Sequence, residues 1–225
     1  MSSPTRLAVA EMLGTFGLIF FGAGAVVTSG AGGFGLLGVA LVHAIVLSVM
    51  ITSTMGISGG HLNPAVTLGF LATGRIDAKR AGLYIVSQLA GAALGGLAIK
   101  GLLPGPMVRA TIAGTPQLAG TITLPLAIGM EALLTFFLVS AVFGTCVNPD
   151  APKIGGFGIG LTLFFDIMVG GPFTGAAMNP ARAFGPALTS GVWTGHAVYW
   201  IGPIIGGVLA ALLWDKVILA KNGDK

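Results

Sequence analysis

Six stretches of this chain, 6–29, 34–55, 81–103, 124–146, 154–173 and 193–217, are apolar over about 20 residues or more. A hydrocarbon core of ~30 Å requires ~20 helical residues, so each stretch is long enough to cross a bilayer. With 54% hydrophobic and 8% charged residues, the chain lacks the polar surface a soluble domain needs. The first run has one positive residue ahead of it and no small-residue cleavage site at a signal peptide's distance, and is taken as a retained first helix. The sequence pI of about 9.6 is basic. Its Lys and Arg residues are scattered between apolar runs and form no stripe with interleaved aromatics, which argues against nucleic acid.

Two further apolar segments, beginning at Pro64 and Pro180, reach turn signals ("ATGR", "TSGV") after about ten residues, less than half a membrane at ~1.5 Å each. They are read as half-helices. Each follows the tripeptide Asn63-Pro64-Ala65 or Asn179-Pro180-Ala181. Asn is a favoured N-cap and Pro a favoured first residue, so both tripeptides mark helix N-termini.

Counting cations on alternate sides places Arg6, Arg75, Lys79, Arg80, Lys153, Lys216, Lys221 and Lys225 together, leaving Lys100 and Arg109 for the other face. By the positive-inside rule both termini are cytoplasmic. The halves also repeat. "AEMLGTF" from Ala10 echoes "MEALLTF" from Met130, and Gly91/Gly95 match Gly202/Gly206 as GxxxG pairs. Three spans per half is an odd number, which inverts the second half relative to the first. The predicted fold class is therefore an all-α membrane protein with six transmembrane helices, two re-entrant half-helices and an inverted repeat. It forms a single channel domain over 1–225, with a first half at 1–112 and a second at 120–225.

In an inverted pair the two half-helix tips meet near the midplane. Irregular backbone at that depth is tolerated only against protein or a water-filled cavity, so a lumen is expected. Each tip carries roughly +0.5 of partial charge, which repels cations. With the Asn63 and Asn179 carbonyl oxygens used as caps, their amide NH2 groups are expected to face the lumen, donate to a passing water and interrupt a proton wire. Arg182, costly in lipid, is expected to face water and to bond backbone carbonyls in the loop before it.

The motifs "SGGHLNPAVT" and "GPFTGAAMNPARAFGPAL", the two intramembrane glutamates and "HAVYWIGP" together make the chain resemble the aquaporin (major intrinsic protein) family over essentially its whole length. The resemblance implies a homotetramer with one pore per subunit. It also implies a narrow filter at His43, Ile167, Ala176 and Arg182, a combination similar to plant tonoplast intrinsic proteins. Strict water channels of the family usually carry Phe, His and Cys or Thr at the first three positions. The departure implies a wider pore for water and small neutral solutes such as ammonia, hydrogen peroxide or urea. "TPQLAG" lacks the histidine that some ammonia conductors carry in the third loop. Ala183, Ala187, Tyr199 and Trp200 fall at the family's markers and favour the water branch over a glycerol-type facilitator.

Glu11 and Glu131 are candidates for accepting backbone N–H bonds from the re-entrant loops, the structural role the resemblance also implies. In the rival reading, a proton-coupled secondary transporter, they would carry protons. A second rival is a structural membrane junction. His61 has two equal readings, lining the cytoplasmic vestibule or bracing the loop. His196 is read as interfacial. Asp166 is read as bonding a group near the filter or capping an interior network, and Cys146 as a buried inert thiol. The loop from Gly144 to Lys153 is read as a simple link. No nucleophile and base pair, metal cluster or phosphate loop appears, so neither enzyme activity, metal nor cofactor is expected. The membrane expected is the plasma (inner) membrane.

Overall fold

The computed structural model describes residues 3–30 and 32–220; Lys221 and Lys225, counted above for orientation, lie outside them. The chain folds into α1 (Pro4–Ser29), α2 (Gly35–Ser58), α3 (Pro64–Ala72), α4 (Ala78–Leu102), α5 (Gly105–Ala110), α6 (Leu124–Val142), α7 (Phe157–Thr174), α8 (Pro180–Ser190) and α9 (Val198–Leu213). Among the described residues there is no strand. Six helices, with α6 and α9 counted through the turns that continue them to Val147 and Ile218, are long and apolar enough to cross a membrane. The short α3 and α8 are the two half-helices, of 9 and 11 residues. The protein is a multi-pass membrane protein.

The termini of the elements follow local chemistry. Asp77 caps α4 by accepting from the Arg80 N–H, which starts that helix at Ala78 rather than 81. The last long helix begins at Val198 because residues 194–197 form a turn. Both α6 and α9 end in a wide π-type turn, Phe143–Val147 and Trp214–Ile218, and these two turns touch.

The long helices pack in matched pairs, α4 on α1 and α9 on α6, through the glycine pairs. A Cβ at Gly91 would strike the Met12 carbonyl, and one at Gly206 the Ala132 carbonyl. Added Cβ atoms at Gly95 and Gly202 would lie 3.1 Å from Phe16 O and 2.8 Å from Ile128 O. Backbones therefore meet directly, and packing contact rather than water exclusion holds these pairs in lipid. Leu97, Leu133, Leu161 and Leu209 remain exposed on the outer faces, as an apolar solvent allows.

One stretch is more ordered than the sequence indicated. Between α4 and α6 the chain forms α5 and a 3-10 turn, Ile112–Gly114, with Ile112 and Ala113 left-handed at φ 53° and 54°. Its Pro- and Gly-rich sequence gives no helical period, so nothing local announced it.

Candidate functional site

The α3 and α8 N-termini are built alike. Asn63 Oδ1 accepts from the Ala65 N–H at 2.8 Å, and Asn179 Oδ1 from the Ala181 N–H at 2.9 Å and the Arg182 N–H at 3.3 Å. Leu62 and Met178, just before them, are held left-handed at φ 48° and 50°, a conformation that costs free energy outside glycine.

Carboxylates hold these loops. Glu11 Oε1 accepts from Ser58 Oγ (2.6 Å) and the His61 N–H (3.0 Å); Oε2 accepts from the Leu62 N–H (2.7 Å) and Gln88 Nε2 (2.8 Å). Glu131 Oε1 accepts from Thr174 Oγ1 (2.6 Å) and the Ala177 N–H (2.9 Å), and Oε2 from the Met178 N–H (2.7 Å). Both glutamates are fully buried. Their partners act as donors, so each is used as an acceptor, which offsets the cost of burying these backbone N–H groups.

The asparagine amides do not both stay free. Asn63 Nδ2 donates to Met178 O at 2.9 Å, and Asn179 Nδ2 donates to Leu62 O at 2.9 Å. Each loop's last carbonyl is buried and requires a donor, and the opposite tip supplies it. One N–H of each amide is left over, and both side chains line an inner cavity of about 190 Å³.

Arg182, 5% exposed, donates from Nη1 to Gly114 O at 2.9 Å. The acceptor is a backbone carbonyl, but not one in the loop immediately before the arginine. Two carbonyls there have other partners: Met178 O takes Asn63, and Thr174 O takes the Tyr199 hydroxyl at 2.8 Å. Gly114 is a functional position that the sequence did not reveal. Its φ of 75° and the approach of Ala23 O to within 2.5 Å of any added Cβ both require glycine.

His43 is buried as well, 3% exposed. Its Nδ1 is 2.8 Å from Val39 O, and because a carbonyl only accepts, Nδ1 carries the proton. In the neutral ring Nε2 is then a lone-pair acceptor, and it is buried without a partner. Gly22 makes room for this ring, since a Cβ there would lie 2.8 Å from Cδ2 and Nε2.

These residues line two cavities. The inner cavity extends from the asparagine tips toward Val147 at the face of the termini. A second cavity, about 550 Å³, opens at the other face beside Thr111 and Gln117. His43 and Arg182 line both; Ala176 lines the inner one and Ile167 the outer. Around the residues the two cavities share, the walls therefore hold an acceptor, a cationic donor and two apolar side chains.

With this geometry, comparison with known proteins is decisive. The family model described as Major intrinsic protein matches residues 1–214. The chain belongs to that family. It is 45% identical to "Aquaporin TIP4-4" of Zea mays over 98% of this chain and 89% of that protein. It is 44% identical to "Aquaporin TIP4-1" of Arabidopsis thaliana, over 95% and 86%. Among solved structures, the aquaglyceroporin from Plasmodium falciparum superposes with a TM-score of 0.86 at 27% identity, covering 96% of this chain and 97% of that one.

The other polar candidates of this family member fall as follows. His61 lines the inner cavity, and its Nδ1 lies 3.2 Å from Thr67 Oγ1. Tyr199, read as a branch marker, holds the second loop through Thr174 O, and Tyr84 does the same for Ser58 O at 2.6 Å. His196 accepts from Trp200 Nε1 at 3.1 Å. Two readings are corrected. Cys146 is half-buried and lines the inner cavity, in the wide turn at the end of α6. Asp166 is 2% exposed, and its Oδ2 reaches no partner among the described residues, so the expected bond from that oxygen to a filter or network group is not made.

Proposed function

We propose that the protein is a passive channel conducting water, with ammonia, hydrogen peroxide and urea as further small neutral passengers, and excluding protons and ions. The observation that carries this reading is that cavities from the two faces share His43 and Arg182, with both half-helix tips lining the inner one. A water at the constriction can donate to His43 Nε2 and accept from Arg182, while two positive helix ends and a guanidinium oppose hydronium. Ile167 and Ala176 leave the remaining walls apolar, which supports a pore wider than a strict water filter. The names of the aquaporin relatives support water as the main passenger.

On this reading 1–225 is one channel domain of two inverted halves, 1–112 and 120–225, with Glu11 and Glu131 as structural acceptors rather than proton carriers, no chemistry catalysed and a homotetramer as the working assembly. The cation distribution supports cytoplasmic termini. Membrane fractionation tests the plasma-membrane part.

The experiment is stopped-flow light scattering on proteoliposomes with water, glycerol, urea and ammonia. Water flux with a low activation energy and no proton leak is expected; saturable, proton-driven uptake would refute the channel. Arg182→Val removes a unit charge worth roughly 2 kcal/mol at ~8 Å and an effective dielectric of ~20, so proton leak should rise on the order of 30-fold. The double change His43→Phe with Ala176→Cys should slow urea more than water; unchanged solute selection would remove these positions from the filter.

A further inference from the structure

Lys100 and Arg109, the two cations left on the face opposite the termini, come together in the fold. Lys100 stands in the last turn of α4 and Arg109 in the last turn of α5. Both line one depression of about 480 Å³, with Thr189 and Ser190 of α8 along its wall. Among the described residues neither cation is in an ion pair, and neither side chain donates a hydrogen bond.

Nor does that face offer a carboxylate to balance them. Glu11, Glu131 and Asp166 are buried inside α1, α6 and α7. Asp77, Asp150 and Asp215 lie toward the face of the termini, at the start of α4, after the wide turn of α6 and in the wide turn of α9. Asp224 is outside the described residues. Two exposed like charges share one hollow, and with no acceptor among the described residues bonded to the ammonium or the guanidinium, their donors are open to an anion from outside. One turn before Lys100 on the same face of α4, Leu97 is 56% exposed, an apolar side chain beside the charge.

We propose that this depression is a binding site for a phosphate group, presented by an anionic phospholipid of the leaflet opposite the termini. The phosphate lies between Lys100 and Arg109, and the acyl chains run past Leu97 along α4. The depression shares Ile112 with the outer cavity and no residue with the inner one, and its occupancy is measured without reference to conduction.

The test uses the full-length protein purified in detergent, mixed with equal amounts of phosphatidylglycerol and phosphatidylcholine, with retained lipid counted by native mass spectrometry. At about 1 kcal/mol per cation, phosphatidylglycerol should be retained about tenfold or more over phosphatidylcholine. The preference should vanish in the Lys100→Gln, Arg109→Gln double variant and persist in Lys79→Gln, which removes a cation from the opposite face. Circular dichroism checks that the double variant is folded, and single variants serve if it is not. Equal retention of phosphatidylglycerol by the parent and the folded charge-removed proteins would overturn the site. Displacement of the lipid by millimolar inorganic phosphate would support the phosphate chemistry and overturn the lipid as its source. Water permeability of the same preparations is assayed separately, so a failure of lipid retention leaves the channel reading standing, and the reverse.

Discussion

The segment from Ser58 to Thr67 and the segment from Thr174 to Ala183 trace one backbone path from opposite faces. Left-handed residues fall at Gly59, Gly60 and Leu62 in the first, and at Gly175, Ala176 and Met178 in the second. Each has a hydroxyl and two backbone N–H groups on a buried glutamate, a tyrosine holding the hydroxyl residue's carbonyl, and an asparagine reaching across to the other. The side chains around the path diverge. In the first loop His61, Thr67 and Gln88 form a bonded group beside Glu11, with Gln88 Nε2 also 3.0 Å from Thr67 Oγ1. In the second the matching loop positions are Ala177 and Ala183, and the polarity is concentrated in Arg182, where the first has Val66. Satisfying buried backbone is thus a requirement both loops meet in the same way, while the residues facing the lumen are free to differ.

That comparison can be broken most directly at the glutamates. Glu11→Ala and Glu131→Ala should each strip two backbone N–H groups of their acceptor, while Ser58, Thr174 and Gln88 can turn to other partners. At about 1–3 kcal/mol per orphaned buried donor, each variant loses about 2–6 kcal/mol. The losses should agree within about 1 kcal/mol in thermal unfolding in detergent, since the same number of donors is orphaned. A much smaller loss at Glu11 would mean that the His61–Thr67–Gln88 group holds the first loop unaided.

A finer break lies in the crossed asparagines. Asn63→Ala and Asn179→Ala each remove an N-cap, worth about 0.5–2 kcal/mol, and one bond to the opposite loop. Because each amide steadies the loop whose carbonyl the other tip presents, the double variant should depart from additivity by 0.5 kcal/mol or more on a scale of about 0.5–3. Strict additivity would show that the tips are placed independently by their glutamates.

Spans, half-helices, inversion and the facing tips were legible in the sequence because each rests on a local signal: apolar length, Asn-Pro at a helix start, an odd span count. The crossing of the amides onto Leu62 O and Met178 O was not legible, because it depends on left-handed residues that are neither Gly nor Asn and carry no sequence mark. Gly114 was hidden for a related reason. Its bond to Arg182 joins positions 68 apart through a segment without period, and only the approach of Ala23 O shows why glycine is needed. Gln88 and Tyr84 lie on an ordinary span of α4, and only the packing of α4 on α1 and α3 turns them toward the first loop.

The far ends of the half-helices differ as well, and there the expected effect is smallest. α8 stops at the left-handed Gly191, whose N–H bonds Ala187 O at 2.8 Å. α3 is followed by Arg75, whose Nε bonds Asp215 Oδ1 at 2.8 Å and whose guanidinium lies 5.6 Å from the Phe143 ring centre. One could suppose that this pair fixes the first half-helix. Magnitudes argue otherwise: the Arg75 side chain is 38% exposed, such pairs contribute about 0.2–1 kcal/mol, and Lys216 also holds Asp215 at 2.8 Å, so the carboxylate keeps a partner when Arg75 is lost. Arg75→Gln should therefore lower the melting temperature by less than ~4 °C, and by less still in high salt, where exposed charges are screened. A larger drop, insensitive to salt, would show that α3 is held from its far end and not, like α8, from its capped tip.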